Sequence, residues 1–445
     1  MSGPESAARL LAKKWGTSVA IVDSYDIRHD PEDAFAIVPM RVVGEEVTQA
    51  VGYGLISSPP TVVVEHHALS RRTAFLDPFA QALDAYLACA RHGELPRIYI
   101  PNAAALELLT VMATRYEIAG KNPNPNPALR PSVHVTRLGY LLRLLKDIYH
   151  MPGQQVVIVM TETIQRHFVT GQMPPKDGHL GALTEWLAAA RASTDTQLRA
   201  DRRALAIPAA AMLPRDGDDE IEKLLRQLRK VPAPQKQPII DRIEAIQEAA
   251  VRSDWEMLQE AHAAFWGRNL APTSQMTVAD HNIRWLGFRL GTNVQRSRRA
   301  IALSKRYEAH EFLASAHKNE LIANDTMRFE HERADGRAFV GTIATIRRAV
   351  RNVSPSQLDL AVDHQPNIRL RLGQRIQTVG NDIVGEVQSV TRTGTGYDVV
   401  LTIISGVKKA VGGARHRWAA PLVKEHIYRR GSDPHENIKR ILGMP

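Results

Sequence analysis

Short apolar runs alternate with amphipathic stretches through residues 1–200, a pattern typical of a mixed α/β domain. Runs rich in β-branched or apolar residues predict strands over 18–22, 34–43, 47–57, 61–68, 97–100 and 155–160. Helical spacing predicts a helix that begins at Asp77-Pro78, with Asp77 as its N-cap, and another that Asn102 caps. Two further helices are predicted over 138–149 and over 177–192, the latter capped by Asp177.

The pattern changes twice after residue 200. Residues 201–219 mix apolar residues, prolines and an acidic cluster, which predicts a linker, and residues 220–351 carry long helical periodicity. Runs over 369–376, 382–391 and 397–404, joined by glycine turns, predict a small antiparallel barrel. We therefore expect a multidomain α/β plus α plus β chain, with an α/β domain over 1–200, a helical domain over 220–351 and a β-barrel with a basic tail over 352–445.

Charge is distributed unevenly along this architecture. The 445 residues include 57 Lys+Arg and 47 Asp+Glu, a net charge of +10. Residues 1–200 contain 19 basic and 19 acidic groups and residues 201–250 contain nine of each, so residues 251–445, with 29 against 19, hold the whole excess. A polyanion such as nucleic acid is the partner that this charge favours. An acidic protein partner, which would make the chain a protein–protein scaffold, is the alternative.

Two basic segments are candidates for phosphate contact. Residues 281–307 lack Asp and Glu and carry Arg284, Arg289, Arg296, Arg298, Arg299, Lys305 and Arg306. Arginine along a helix can meet successive phosphates, although a solvated helix has the same composition. The second segment surrounds Gly412-Gly413 and contains Lys408, Lys409, Arg415, Arg417 and Trp418. A basic glycine loop on a barrel fits a nucleic-acid groove, and a disordered basic tail is the alternative.

Two stretches of the first half resemble the ribonuclease H-like superfamily, which includes integrases and many transposases. Residues 50–92 carry Gly52-Tyr53-Gly54-Leu55 followed by a turn and a helix, and residues 97–109 read RIYIPNAAALELL. The strand and helix order of residues 1–200 is also similar to that of the family. The resemblance implies a mixed-sheet domain of that fold in this part of the chain.

Active members of that superfamily bind two Mg²⁺ ions with four carboxylates. The resemblance places the first-strand acid at Asp23. If the first strand is instead 34–43, the position falls near Pro39 or Met40, where no acid exists. It places the first-helix acid at Asp77 and the last-helix acid at Asp177 or Glu185. The fourth-strand position is the neutral Asn102. This substitution favours a catalytically inactive domain over a Mg²⁺-dependent nuclease or strand-transfer enzyme built on Asp23, Asp77 and Glu185.

Several other chemistries lack support in the sequence. Cys89 is the only cysteine, which excludes an internal disulfide and a cysteine-built zinc site. No phosphate-binding P-loop, zinc-protease or serine-hydrolase motif occurs. No run approaches the ~18–20 apolar residues of a membrane span, so we expect no membrane partner and a cytoplasmic location. The function expected is nucleic-acid binding, DNA or RNA, in replication, recombination, defence or a mobile element.

Overall fold

A computed structural model describes most of the chain. The described residues are 3–28, 33–42, 48–65, 73–121, 123, 126, 130–172, 178–206, 212–272, 277–291, 313–314, 317–318, 320–322, 324–334, 336–348, 356–362, 368–379, 383–394, 396–406, 408 and 410–419. They form two compact units. The sheet unit comprises Met1–Pro272 and Ala279–Asn293, and the barrel unit comprises Thr273–Val278 and Val294–Pro445.

The sheet unit contains nine strands and ten α-helices among its described residues. The strands are β1 Val19–Ala20, β2 Ser24–Tyr25, β3 Phe35–Met40, β4 Ala50–Leu55, β5 Thr61–Val64, β6 Ile98–Ile100, β7 Val157–Val159, β8 Phe168–Val169 and β9 Ala271–Pro272. The helices are α1 Gly3–Trp15, α2 Asp77–Leu87, α3 Ala103–Lys121, α4 Val133–Tyr149, α5 Met160–His167, α6 Leu180–Ala188, α7 Thr196–Ala206, α8 Arg215–Leu228, α9 Gln237–Trp266 and α10 Thr277–Gly291.

Five strands form one mixed sheet in the order β5-β4-β3-β6-β7. The hairpin-linked strands β3, β4 and β5 are antiparallel, and β6 and β7 run parallel to β3. The mixed α/β class predicted for this region is therefore confirmed. The sheet strands lie within the predicted runs 34–43, 47–57, 61–68, 97–100 and 155–160, and the run 18–22 contains β1, which pairs with β8 outside this sheet.

Helices cover both faces of the sheet because successive strand residues point to opposite sides. In β3, Phe35 and Ile37 face a core formed with α2, α3, α4 and α10. Ala36, Val38 and Met40 face a second core formed with α5, α6, α8 and α9. All six residues of β3 are buried, so this strand is the centre of a three-layer α/β/α arrangement.

Helices α8, α9 and α10, which follow residue 200, do not form a separate domain. Helix α9 contacts β3, β4 and β5, and Trp255 on this helix is buried in the second core. Gly52 permits this approach, because a Cβ there would lie 2.6 Å from Val251 Cγ1. The predicted boundary at residues 201–219 and the helical domain over 220–351 are therefore wrong: these helices bury their apolar stripes against the sheet.

The barrel unit contains α11 Thr326–Ala334 and a closed six-stranded antiparallel barrel. Its strands are β10 Ala338–Arg347, β11 Gln357–Val362, β12 Arg375–Thr378, β13 Val384–Thr393, β14 Gly396–Ser405 and β15 Arg415–Ala419, in the order β10-β11-β14-β13-β12-β15. Inward residues such as Leu358, Leu360 and Val399 form its core. The predicted C-terminal barrel is thus confirmed, but it begins at Ala338, within residues that helical periodicity had assigned to the middle domain.

The register defines two ends of the barrel. Strand β12 is antiparallel to β15, with Gln377 opposite Ala419, so the start of β12 and the end of β15 lie at the same end. The β13–β14 hairpin also lies there, because Arg375 of β12 is opposite Glu386 and β13 continues past it to Thr393. The β14–β15 connection lies at the other end. In the described part of the chain, no helix combines the length and apolar character needed to cross a membrane.

Candidate nucleic-acid interface

The carboxylates predicted for a metal site are separated by the fold. Asp23 is exposed and precedes β2, which pairs with β9 and not with the five-stranded sheet. The first strand of that sheet is β3, which ends in Pro39 and Met40. Asp23 therefore does not lie on the central strand, and the residues that do lie there cannot ligate a hard cation.

Asp77 and Asn102 both have structural partners. Asp77 is the first residue of α2, preceded by Leu76 at the N-cap position, so the predicted capping role is wrong. Its carboxylate instead accepts a hydrogen bond from the Ser132 hydroxyl, which in turn accepts from the backbone N–H of Val135 as the N-cap of α4. Asn102 is buried, and its Oδ1 accepts from the backbone N–H of Ala105 at 2.9 Å, which confirms it as the cap of α3.

Glu185 takes part in an ion-pair network that connects three helices. Its two carboxylate oxygens lie 3.2 Å from Arg199 Nε and 3.2 Å from Arg203 Nη1, both on α7. Arg203 also pairs with Glu260 on α9. Asp177 lies outside the described residues, and the described helix begins at Leu180 with the His179 side chain as its cap.

Within the described residues, no group of three or more His, Cys, Asp and Glu side chains is placed to hold a metal ion. At the carboxyl ends of β3 and β6, where the superfamily has acids, the chain has Met40 and the amide of Asn102. One amide oxygen supplies no negative charge, whereas a pair of Mg²⁺ ions requires several carboxylates. The donors present therefore do not fit two Mg²⁺ ions.

A buried polar cluster in the sheet unit was not predicted. His167 is fully buried, with Nε2 2.8 Å from Asp26 Oδ1 and Nδ1 2.7 Å from the Thr163 carbonyl oxygen. Because a carbonyl only accepts, Nδ1 carries a proton. Gln155 donates to the Asp26 carbonyl oxygen at 2.9 Å. These contacts attach the chain around Asp26 to α5 and to Gln155, which precedes β7, so the cluster serves the fold.

The predicted arginine helix is only partly described. On α10, Arg284 is exposed, and Arg289 is half-buried with Nη2 3.8 Å from Asp147 Oδ2 and its guanidinium 5.2 Å from the centre of the Trp285 ring. Burial, with a smaller contribution from the Arg284 guanidinium, lowers the pKa of His281. Arg289 thus helps to attach α10 to α4. Four predicted residues, together with Lys305, lie outside the described residues: Arg296, Arg298, Arg299 and Arg306.

The second predicted segment lies on the barrel. Lys408, Arg415 and Arg417 are exposed, and Lys409 lies outside the described residues. Arg417 places its guanidinium 5.1 Å from the centre of the Phe329 ring on α11. Trp418 is fully buried and lies 6.3 Å from Phe339, nearly parallel to it. Its burial excludes stacking on a base, so the prediction that Trp418 binds nucleic acid is wrong.

A basic turn at the start of β12 was not predicted from the sequence. Residues 368–374 form this arginine turn, in which Ile368 and Leu370 pack against the barrel core while Arg369 and Arg371 are exposed. The alternation of apolar residues and arginines over 368–371 is the signal that could have revealed this turn. The sequence instead predicted a strand over 369–376, and Arg369 and Arg371 were not predicted to bind a ligand. The turn adds two positive groups at the end of the barrel opposite the β14–β15 connection.

The described barrel arginines differ in whether a carboxylate neutralises them. Residues 338–419 hold eleven Lys+Arg and five Asp+Glu. Arg347 pairs with Asp359 at 2.5 Å. Six exposed basic side chains have neither an ion pair nor an aromatic contact with a described residue: Arg348, Arg369, Arg371, Arg392, Lys408 and Arg415. Within the described part of the barrel, these side chains therefore form a set of positive charges that no carboxylate pairs with, and the set has members at both ends.

Comparison with known proteins identifies no relative: no family model, no curated protein and no solved structure matches the chain.

Proposed function

We propose that this protein binds nucleic acid through the exposed basic side chains of its C-terminal barrel. The observation that carries the proposal is that six of these side chains have neither a carboxylate nor an aromatic partner among the described residues. Polyanions bind such a positive surface favourably. Phosphates do so with additional favourable entropy, because bound counterions are released from the nucleic acid.

The side chain type supports a phosphate ligand. Five of the six groups are arginines, whose planar guanidinium donates paired hydrogen bonds to phosphate oxygens. Arg369 and Arg371 alternate with Ile368 and Leu370, which anchor the turn in the barrel core. Arg415 follows the Gly412-Gly413 connection and lies opposite Thr342 on the rigid β10–β15 ladder. The basic groups thus lie on well-supported backbone.

We further propose that the sheet unit is a ribonuclease H-like domain that has lost its catalytic metal site. The order of three antiparallel strands followed by two parallel ones supports that assignment. Its loss of activity is supported by Met40 and Asn102 at the ends of β3 and β6, and by the engagement of Asp77 with Ser132 and of Glu185 with Arg199. In this proposal the domain serves as a scaffold.

The binding proposal is tested by titrating labelled DNA duplex, single-stranded DNA and RNA with the full chain over about 50 to 200 mM salt. The wild-type affinity should fall steeply with salt. Two double variants, Arg369→Ala with Arg371→Ala and Lys408→Ala with Arg415→Ala, should each reduce the logarithmic salt slope by up to about 2. Incubation of the same substrates with Mg²⁺ and Mn²⁺ should give no cleavage.

The matched control removes the same charge from the sheet unit. Arg242 and Arg252 are exposed but paired with Glu220 and Glu248, and such pairs contribute little to stability. Their double alanine variant should keep the wild-type salt slope. A shallow slope in the wild type, or an equal loss in this control, would contradict the proposal and favour an acidic protein partner. Metal-dependent cleavage that Asp23→Ala abolishes would establish the active nuclease instead.

A further inference from the structure

The arginine turn presents an apolar side chain at its corner. Leu372 is 72% exposed, and it lies between Arg371 and Gly373. The backbone N–H of Gln374 donates to the Arg371 carbonyl at 3.0 Å, which closes a four-residue turn. Gly373 has φ of 75°, as the third position of a type II turn requires. Leu372 therefore occupies the second position, at the outermost part of the turn.

Further hydrogen bonds hold this turn in place. Gly373 N–H donates to the Val387 carbonyl at 2.8 Å, and Val387 N–H donates to the Gln374 carbonyl at 2.8 Å. The Gln374 side chain accepts from the backbone N–H of Arg371 at 2.9 Å. The turn is thus fixed to β13 on one side, and no main-chain change is needed to present Leu372.

We propose that Leu372 is an apolar wedge that enters the minor groove of duplex DNA and partly unstacks a base step; this inference rests on the proposed nucleic-acid binding. Proteins that bend DNA through the minor groove insert Leu, Ile, Phe or Met in this way, with cationic side chains beside the wedge. Here Arg371 adjoins the leucine, and Arg369 is exposed two residues earlier in the same turn. Arg392, on the hairpin at the same end of the barrel, adds a third cation.

The wedge is tested with a DNA duplex that carries 2-aminopurine, whose fluorescence rises when its stacking is lost, and with a second duplex labelled at both ends to report bending. Wild-type protein should raise the fluorescence and shorten the end-to-end distance. Leu372→Ala should abolish both signals and weaken binding about tenfold, since most of one buried leucine side chain is lost. The salt slope should stay unchanged, because no charge is removed.

The control is Met327→Ala, which removes a 65% exposed apolar side chain from α11 of the same unit. It should keep the affinity and both signals of the wild type. Salt-dependent binding with no fluorescence change, or with a change that Leu372→Ala retains, would overturn the wedge and leave the proposed function standing. An absence of salt-dependent binding by the wild type would overturn both. Leu372 lies on the surface, so its substitution leaves folding intact.

Discussion

The two units of this protein use arginine in different ways. In the sheet unit, carboxylates join arginines to neighbouring helices: Arg137 pairs with Asp84, and Arg203 pairs with Glu185 and Glu260. In the barrel unit, Arg347 and three arginines within residues 328–337 have such partners, whereas Arg369, Arg371, Arg392 and others have none among the described residues. The net charge of a unit does not show whether its arginines are paired with carboxylates. In the proposed function, the sheet unit uses these charges to join its own helices, and the unpaired charges of the barrel unit bind a polyanion.

The strongest test of this contrast removes one core tryptophan from each unit. Trp418→Ala in the barrel should cost about 3–5 kcal/mol of unfolding free energy and abolish nucleic-acid binding with it. Trp186, buried on α6, is the matched position in the sheet unit, and Trp186→Ala should cost a similar amount there while binding persists. Urea unfolding and duplex titration measure the two effects. Loss of binding in Trp186→Ala with an intact barrel would reverse the assignment.

A smaller effect is expected where α9 crosses the sheet. Gly52→Ala would place a Cβ 2.6 Å from Val251 Cγ1, an overlap that costs about 1–3 kcal/mol because neither backbone can retreat easily. The urea midpoint of the sheet unit should fall and binding should be unchanged. Gly178→Ala is the control, since its Cβ would meet nothing within 4 Å. Equal stability of the two variants would show that α9 does not pack as described.

The role of Asn102 can be separated from catalysis. Asn102→Ala removes the cap of α3 and should destabilise the sheet unit by about 1 kcal/mol. Asn102→Asp should restore most of that stability, because a carboxylate caps a helix equally well and suits its N-terminus. Thermal unfolding measures the stability, and a Mg²⁺ cleavage assay accompanies it. If Asn102→Asp gained cleavage, the other carboxylates would have to converge on that position, contrary to their placement here.

The smallest effect concerns Cys89, the single cysteine, which lies in the sheet unit. Burial, reinforced by Glu94 and Asp33, raises the pKa of its thiol to about 11. The raised pKa contributes stability that is present below the unfolded value of 9.0 and is lost as the pH rises toward about 11. At about pH 8, alkylation should be roughly a hundredfold slower than in the unfolded chain. Trp418→Ala should leave this rate unchanged, and faster labelling would show that the units unfold together.

Much of the architecture was predictable because it depends on local patterns. The strand positions of the sheet and the helix after Asn102 followed from β-branched runs and from capping chemistry. Strand β10 was missed because its alternating residues follow a long run of helical periodicity. The packing of α9 on the sheet was not predicted either, since the sequence does not show which face a distant apolar stripe will cover.

The candidate site was predictable only in part, for reasons that two residues illustrate. Trp418 was grouped with Arg417 because they are neighbours in sequence, yet adjacent residues of a strand point to opposite sides, which places one in the core and the other in solvent. Applied to residues 415–419, this rule would have removed the tryptophan from the site. The ion pair of Glu185 with Arg199 depends on tertiary structure, so no sequence pattern could have shown that this acid was engaged.

The closed barrel has a further consequence for its arginines. An open sheet exposes unpaired main-chain groups along its outer strands, and proteins often place charged side chains there to prevent intermolecular pairing. A sheet that closes on itself has no such border. The barrel arginines are therefore not needed to prevent aggregation through unpaired strand edges. Replacing Arg369 or Arg371 should therefore leave solubility unchanged.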